Sequence, residues 1–484
     1  MDNLLAEILI SNLRLVIAYY SEMKILTALC IICWISIGFS QNKPQLYGVD
    51  YLPQSLLLNP GATSNYDKHF GIPLLSGFSL EAGTTGVTVY DIFRTDGGDI
   101  NGRIINAISD LSLKDYFTVN QQLEIISVGW RTKKGDYISG GWYQETDAIV
   151  YFPKDVAVLA YEGNADYINR PFDFSDVKGR GEILSVFHLG INHQVSGKLK
   201  VGARAKLYSS IFSFQSLNNT GQFLTTLTPE GENIYNHQVI QADTRLQTVG
   251  TNGFKGISGA QLAKNAVFSG NMGVGGDIGF TYRLNKNWQV SGSLLDVGFI
   301  YNRAKIRDYY FKGDYSLNGI GFIFPPVLEE DEFNPYFDDI REDFETQLLY
   351  GDEVGSGFIS WRPIKLYGSL DYGYGRSEDC NCLHPEEELL KNHVGIQFFA
   401  IKRPLSPQAE ITAYFDTALT DFLRSKFTYT VDRYSATNLG LLMSAQLNKL
   451  NLYIALDNLL GYSNIAKSKN ASIQLGMQLV IKNK

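Results

Sequence analysis

Along most of the chain, apolar and polar residues trade places at every second position. From Lys198 onward the odd positions Leu199, Val201, Ala203, Ala205 and Leu207 are apolar, and the even positions are Lys200, Gly202, Arg204 and Lys206. A period of two belongs to a strand with one apolar face. The preceding segment sets Phe187, Leu189 and Ile191 against His188, Asn192 and Gln194, and Ser196-Gly197 between the two predicts a hairpin. The alternation returns in Met272, Val274, Ile278, Phe280 and Tyr282, which interleave with Gly273, Gly275, Asp277, Thr281 and Arg283. It crosses a turn at Asn285-Lys286-Asn287 into Trp288, Val290 and Leu294. Late in the chain, Leu439 to Leu447 leads through Asn448-Lys449 into Leu450 to Leu456, and Ile473, Leu475, Met477, Leu479 and Ile481 close the series.

Strands are therefore expected near 70–83, 121–133, 136–150, 181–196, 198–214, 218–229, 270–284, 287–300, 303–318, 356–374, 391–402 and 406–416, with two in 427–447 and two in 450–482. Helical spacing of Ile104, Ile105, Ile108 and Leu111 predicts a short helix over 102–113, and 254–268 reads the same way. A soluble sandwich alternates too. Three features choose otherwise: spans of about 10 residues suited to a bilayer crossing, a leader for export, and a polar face rich in Gly, Ser and charge. Backbone groups in lipid must all be paired, so such strands survive there only as a closed barrel. The expected fold is all-β: a transmembrane antiparallel β-barrel of about 14 strands, an even number between about 12 and 16. Lys200, Arg204, Lys206, Asp277 and Arg283 share the polar face and are the candidate lumen-lining set.

Composition agrees with this. Aromatics make up 13% of the 484 residues and charged residues 19%, with 46 Gly, as suits short strands and turns. The net charge of −8 carries no basic patch, so nucleic acid is not an expected partner; outer-membrane lipid and other envelope proteins are. At the N-terminus, Met23-Lys24 precedes a short apolar run from Ile25 to Ile35, and Gly38 and Ser40 sit at the −3 and −1 positions of a cut after Ser40. That is a secretory leader, and its core is too short to span a bilayer. The expected organisation is 1–22 upstream of the true start, 23–40 signal peptide, 41–68 an N-terminal lead-in that plugs the lumen, and 69–484 an outer-membrane barrel.

Candidate chemistry is sparse. Cys380-Asn381-Cys382-Leu383-His384 offers soft ligands, but no second Cys/His pair lies near it to complete a tetrahedral site, so it reads as a polar loop. The acidic stretch from Glu329 to Asp343 lacks the spacing of a calcium loop and reads as a solvated connection, with a short helix over 336–348. Gly273 to Gly279 sits inside a strand without dinucleotide-loop spacing, so its glycines bend the strand or make room for a plug. None of the six His lies in a nucleophile or zinc motif. No enzymatic activity and no cofactor are expected.

A resemblance adds a second line. Gln45-Leu46-Tyr47-Gly48-Val49-Asp50-Tyr51, followed by Leu58-Asn59-Pro60-Gly61-Ala62, resembles the opening of the PorP/SprF-type barrels of type IX secretion and gliding motility, in which alanine follows Asn-Pro where this chain has Gly61. Leu294-Leu295-Asp296-Val297-Gly298-Phe299 and Leu456-Asp457-Asn458-Leu459-Leu460-Gly461 are similar to strand ends in that group. The resemblance implies a non-catalytic accessory or docking component of a secretion or motility assembly. The charged lumen face supports the alternative, a channel or transporter for small or hydrophobic molecules in the manner of fatty-acid transporters.

Overall fold

A computed structural model describes residues 43–227, 235–250, 264–318, 346–376 and 390–482. Fourteen antiparallel strands close on themselves. In chain order they are β1 (Lys68–Gly71 and Phe78–Thr84, one strand broken in its middle), β2 (Tyr116–Arg131), β3 (Tyr137–Tyr151), β4 (Gly179–Gln194), β5 (Leu199–Ser216), β6 (Met272–Arg283) and β7 (Trp288–Asn302). There follow β8 (Phe358–Trp361 and Lys365–Arg376), β9 (Leu390–Ile401), β10 (Gln408–Ala418), β11 (Leu423–Val431), β12 (Asn438–Leu447), β13 (Leu450–Asp457) and β14 (Asn470–Ile481). The seam is sealed where Lys68 to Gly71 pairs with Ile481 to Gln478 and Phe78 to Gly83 pairs with Leu475 to Asn470.

The two ends differ. At one end β2–β3, β4–β5, β6–β7, β10–β11 and β12–β13 are joined by short turns, and the turn chemistry is explicit: Asn285 Oδ1 accepts from the amides of Asn287 and Trp288 (both 2.9 Å), and Asn448 turns with a φ of 55°. At the other end lie the long connections, with helices α1 (Val89–Phe93), α2 (Ile100–Asp110) and α3 (Lys154–Tyr161). Asp99 caps α2 by accepting from the amides of Asn101 and Gly102. Short turns face the periplasm and long loops the exterior in barrels of this type.

Two segments that read as wall strands are not in the wall. Thr220–Leu227 and Ile306–Asn318 pair with Tyr235–Val249, and Ile306–Asn318 also pairs with Leu348–Val354. Together they build an arm that continues from the long-loop end of β5, where Ser213 to Gln215 joins Val249 to Gln247. Alternation reports one covered face and is silent about what covers it. The arm covers its own face: Val239, Ala242, Tyr315 and Leu348 form a core with Phe174, Phe223 and Phe311. The predicted helix over 102–113 is α2, beyond the wall at the long-loop end. Residues 1–42, most of 254–268 and the acidic stretch, and Cys380 and Cys382 lie outside the described residues.

Outward positions of the wall are apolar and exposed, as at Val274, Ile278, Leu366, Ile396, Ile411 and Ile454. Aromatics ring both edges of this band: Trp130, Tyr282 and Trp288 toward the short turns, Phe117, Tyr301, Trp361 and Tyr429 toward the long loops. Ile278→Lys, in the middle of the band, is expected to lower stability by about 2–4 kcal/mol. Leu227→Lys, equally apolar but in the arm, is expected to change it by less than about 0.5 kcal/mol. Urea unfolding in lipid vesicles separates the two; equal effects would mean the band does not face lipid.

Candidate functional site

The inward positions do not surround an open bore. Residues 43–67 run through the lumen before the chain turns into β1, and Leu46, Tyr47, Val49, Leu52 and Leu58 form a buried core with Leu295, Tyr367, Phe399, Ile401, Leu442 and Tyr453 of the wall. Tyr47 stacks on Tyr367 with centroids 4.9 Å apart and planes 7° apart. Hydrogen bonds from wall side chains hold the backbone of this plug. Lys426 Nζ donates to the carbonyls of Pro44 (3.1 Å) and Tyr47 (2.8 Å), and Gln397 donates to Tyr47 O at 2.9 Å. The single helical turn Ser55–Leu58 ends with unpaired carbonyls, and the wall supplies their donors: Arg204 to Leu56 O and Leu57 O, Ser293 to Leu58 O.

The Asn59-Pro60-Gly61 turn docks on glycine. Asn59 Oδ1 accepts from Gly61 N at 2.9 Å, and Asn59 Nδ2 donates to Phe280 O at 3.1 Å. A Cβ on Gly202 would overlap the Pro60 carbonyl, and one on Gly279 would overlap the Asn59 side chain. The glycines on the polar parity of β5 and β6 thus make room for the plug.

Beyond the plug, toward the long loops, the inner wall carries a closed charge network. Asp277 meets Arg204 at 3.0 Å and Lys206 at 2.9 Å. Asp296 meets Lys206 at 2.6 Å and Lys365 at 3.0 Å, and Glu145 meets Lys365 at 3.0 Å and Arg362 at 3.1 Å. Arg362 also reaches Glu182 and lies over the Tyr208 ring at 5.2 Å. Four cations face four carboxylates, and all eight are buried except Lys365, which is part-exposed. Next to it Arg403 grips both oxygens of Asp147 at 2.8 Å.

On the short-turn side the plug leaves a chamber of about 790 Å³, whereas the void on its other side, against the charge network, holds only about 60 Å³. The chamber is lined by Tyr51 and Asn65 of the plug and by Arg283, Asp371, His393, Tyr414, Asp416 and Arg424 of the wall. Its polar groups are tied together: Tyr51 donates to Asp416 (3.0 Å), Arg424 pairs with Asp416 (3.1 Å) and covers the Tyr51 ring, and His393 Nδ1 lies 2.8 Å from Asp371. A chamber of this size matches a small-molecule site.

Of the residues singled out from the sequence, Arg204, Lys206 and Asp277 come together in the network, Arg283 lines the chamber, and Lys200 sits part-exposed on the same strand toward the short turns. Glu145, Glu182, Asp296, Arg362 and Lys365 were not singled out. Glu145 was readable, since it shares the inward parity of Tyr143 in a predicted strand. Asp296 follows inward-facing Leu295 at an irregularity with a φ of 60°, so parity hides it. Arg362 lies between the halves of β8, where no period exists. Among the described residues no group of three or more His, Cys, Asp or Glu is placed to hold a metal ion.

Closed wall, apolar girdled exterior and internal plug define an outer-membrane-type β-barrel with an occluded lumen. The chain belongs to the family described as "Family of unknown function (DUF5723)", whose pattern matches residues 60–457. No curated protein matches it. Among solved structures it is similar to the toluene transporter TodX of P. putida (10% identity, 93% of this chain and 96% of that one, TM-score 0.37) and to a Pseudomonas aeruginosa FadL homologue (10%, 92% and 97%, 0.38). It is also similar to the CymD monoaromatic hydrocarbon channel (10%, 90% and 94%, 0.37). Nothing about ligands follows from likeness of this degree.

Proposed function

We propose that the protein is a non-catalytic outer-membrane channel or transporter for small molecules, closed at rest by residues 43–67. The observation that carries this reading is the chamber of about 790 Å³ whose inner wall is the plug itself. The plug is held by hydrogen bonds from side chains to backbone carbonyls and by packing, and not by strand pairing, so it can shift while the wall ladder stays whole. Aromatic rings beside paired charges suit a small ligand with an apolar body and a polar end. In proteoliposomes, uptake of labelled small aromatics and small aromatic acids is expected above that of empty vesicles. Arg424→Ala, which strips Asp416 of its cation and uncovers the Tyr51 ring at the chamber wall, is expected to reduce it by about tenfold for the acids, the weight of one lost charged contact. No uptake of either class would count against transport.

A second reading follows the resemblance to PorP/SprF-type barrels: an accessory or docking component of a secretion or gliding assembly, reached by export and cleavage after Ser40. What supports it is the arm, a sheet at the long-loop end that presents Leu349, Tyr350 and Val354. Cross-linking in cells that recovers no envelope protein on the arm would remove it.

A further inference from the structure

Apart from the short-turn edge, where Thr417 donates to Asn392, the apolar exterior of the described wall is broken in one sector. Gln121 of β2, Gln144 and Thr146 of β3, Ser185 of β4 and Ser209 of β5 all occupy outward positions, because their neighbours Gln122, Tyr143, Glu145, Leu184 and Tyr208 point inward to the plug, the network and the core. Register makes them one stripe: Gln121 lies opposite Thr146, Gln144 opposite Ser185, and Ser185 opposite Ser209. Gln144 lies opposite Leu123, about midway along β2 between the girdle residues Phe117 and Trp130. The β2–β3 end of the stripe therefore lies at mid-depth, where hydrocarbon can pair with no amide, whereas its Ser209 end rises to the level of Met272 and the girdle residue Tyr301.

Its two ends are treated differently. At the β5 end the chain covers the stripe with its own backbone: Ser269 N donates to Ser209 Oγ at 3.1 Å, and Phe268 stacks over Phe187 with centroids 6.5 Å apart. At the β2–β3 end Gln144 Nε2 donates to Thr146 Oγ1 (2.9 Å) and Thr146 donates to Gln121 Oε1 (3.2 Å). The carbonyl of Gln144 and the amide nitrogen of Gln121 are left without a hydrogen-bond partner among the described residues, and both side chains are part-exposed.

We propose that this sector is the contact face of a homodimer, in which the occupant is the same stripe of a second copy related by a two-fold axis along the membrane normal. Two arguments select a second copy. All copies insert in one orientation, so an identical stripe meets this one at the same depth without further adjustment. Carboxamides are self-complementary, each carrying a donor and an acceptor, and a two-fold contact lets the Gln144 and Gln121 groups of one copy satisfy those of the other reciprocally.

The test is disulfide trapping in native outer membranes, in a Cys380→Ser, Cys382→Ser background. Gln144→Cys is expected to give a band of twice the mass on oxidation, and Ile411→Cys, on the opposite side of the barrel at β10, is expected to give none. In nanodiscs the parent protein is expected to be dimeric. The pair Gln144→Leu and Thr146→Val is expected to weaken the dimer by about tenfold, the size of hydrogen bonds measured between membrane segments. If that pair fails to fold, seen as loss of the compact band on unheated gels, the trapping result decides alone. A monomeric parent without a Gln144→Cys dimer overturns the proposal. So does a Gln144→Cys adduct with a protein of another mass, or an unweakened dimer in the folded pair.

Discussion

Gly279→Val is expected to drive the plug out of its seat and open the lumen. A branched side chain at this inward position overlaps the Asn59 side chain and crowds Pro60, and it cannot turn aside because the strand holds its direction. The wall does not suffer, since valine suits a strand better than glycine. Overpacking of a filled interior costs about 1–3 kcal/mol. At about 1.4 kcal/mol for each factor of ten, the undocked plug should become about one to two orders of magnitude more populated. The Asn59 bond to Phe280 O goes with it. Planar-bilayer recordings should show stepwise current for Gly279→Val, a weaker effect for Gly279→Ala and closure for the parent. A cysteine placed at Gly48 should react faster with a membrane-impermeant thiol reagent. Unchanged current together with faster labelling would mean a plug that moves without opening a path, and would sink the channel reading. No change in either would show that the seat tolerates the side chain.

Arg362→Met is expected to be the most destabilising single change in the wall. The guanidinium is buried, pairs with Glu145 and Glu182 and covers Tyr208. Glu145 keeps Lys365, but Glu182 loses its close cation, and breaking a buried pair from one side costs about 3–5 kcal/mol. Adding Glu182→Gln to Arg362→Met should recover part of that loss, because the stranded carboxylate is neutralised, and a double-mutant cycle reads the coupling directly. Urea unfolding in vesicles is the measurement. A loss below about 1 kcal/mol, the level of solvated pairs, would mean that water reaches the network.

The wall was legible because its physics is local. Alternation in 198–214 or 450–482 states which residues face lipid, and the turns at Ser196-Gly197 and Asn448-Lys449 state which strands are neighbours. The same rule placed 218–229 and 303–318 in the wall, whereas they pair edge to edge with Tyr235–Val249, and 303–318 also with Leu348–Val354, in the arm. There the apolar residues Phe223, Phe311 and Tyr315 pack with Val239, Ala242, Leu348 and Phe174; neither partner strand shows in the alternation. The site was legible in part. Arg204, Lys206 and Asp277 stood out as charges on a regular parity, whereas Arg362 and Asp296 sit where β8 and β7 depart from regular pairing. The Asn59-Pro60-Gly61 turn was visible as a turn. Its seat on Gly202 and Gly279 was not, because close approach of two backbones far apart in sequence leaves only glycine as a trace.

The plug also bears on the order in which the molecule can be assembled. Residues 43–67 pass straight into β1, and β1 is the strand that must meet β14 to seal the cylinder. Gln54 and Gln478, 424 residues apart, exchange amide hydrogen bonds at 3.1 and 2.9 Å beside that seam, and Gln54 also holds Ser76 O where β1 is broken. Bringing such distant segments together costs about 5 kcal/mol of chain entropy, so this contact forms late and after local hairpins have zipped. A sealed cylinder would have to admit the leading segment through a rim. An unsealed one accepts it from the side, and the amide exchange then acts as a latch: the final joint is made with the stopper already inside.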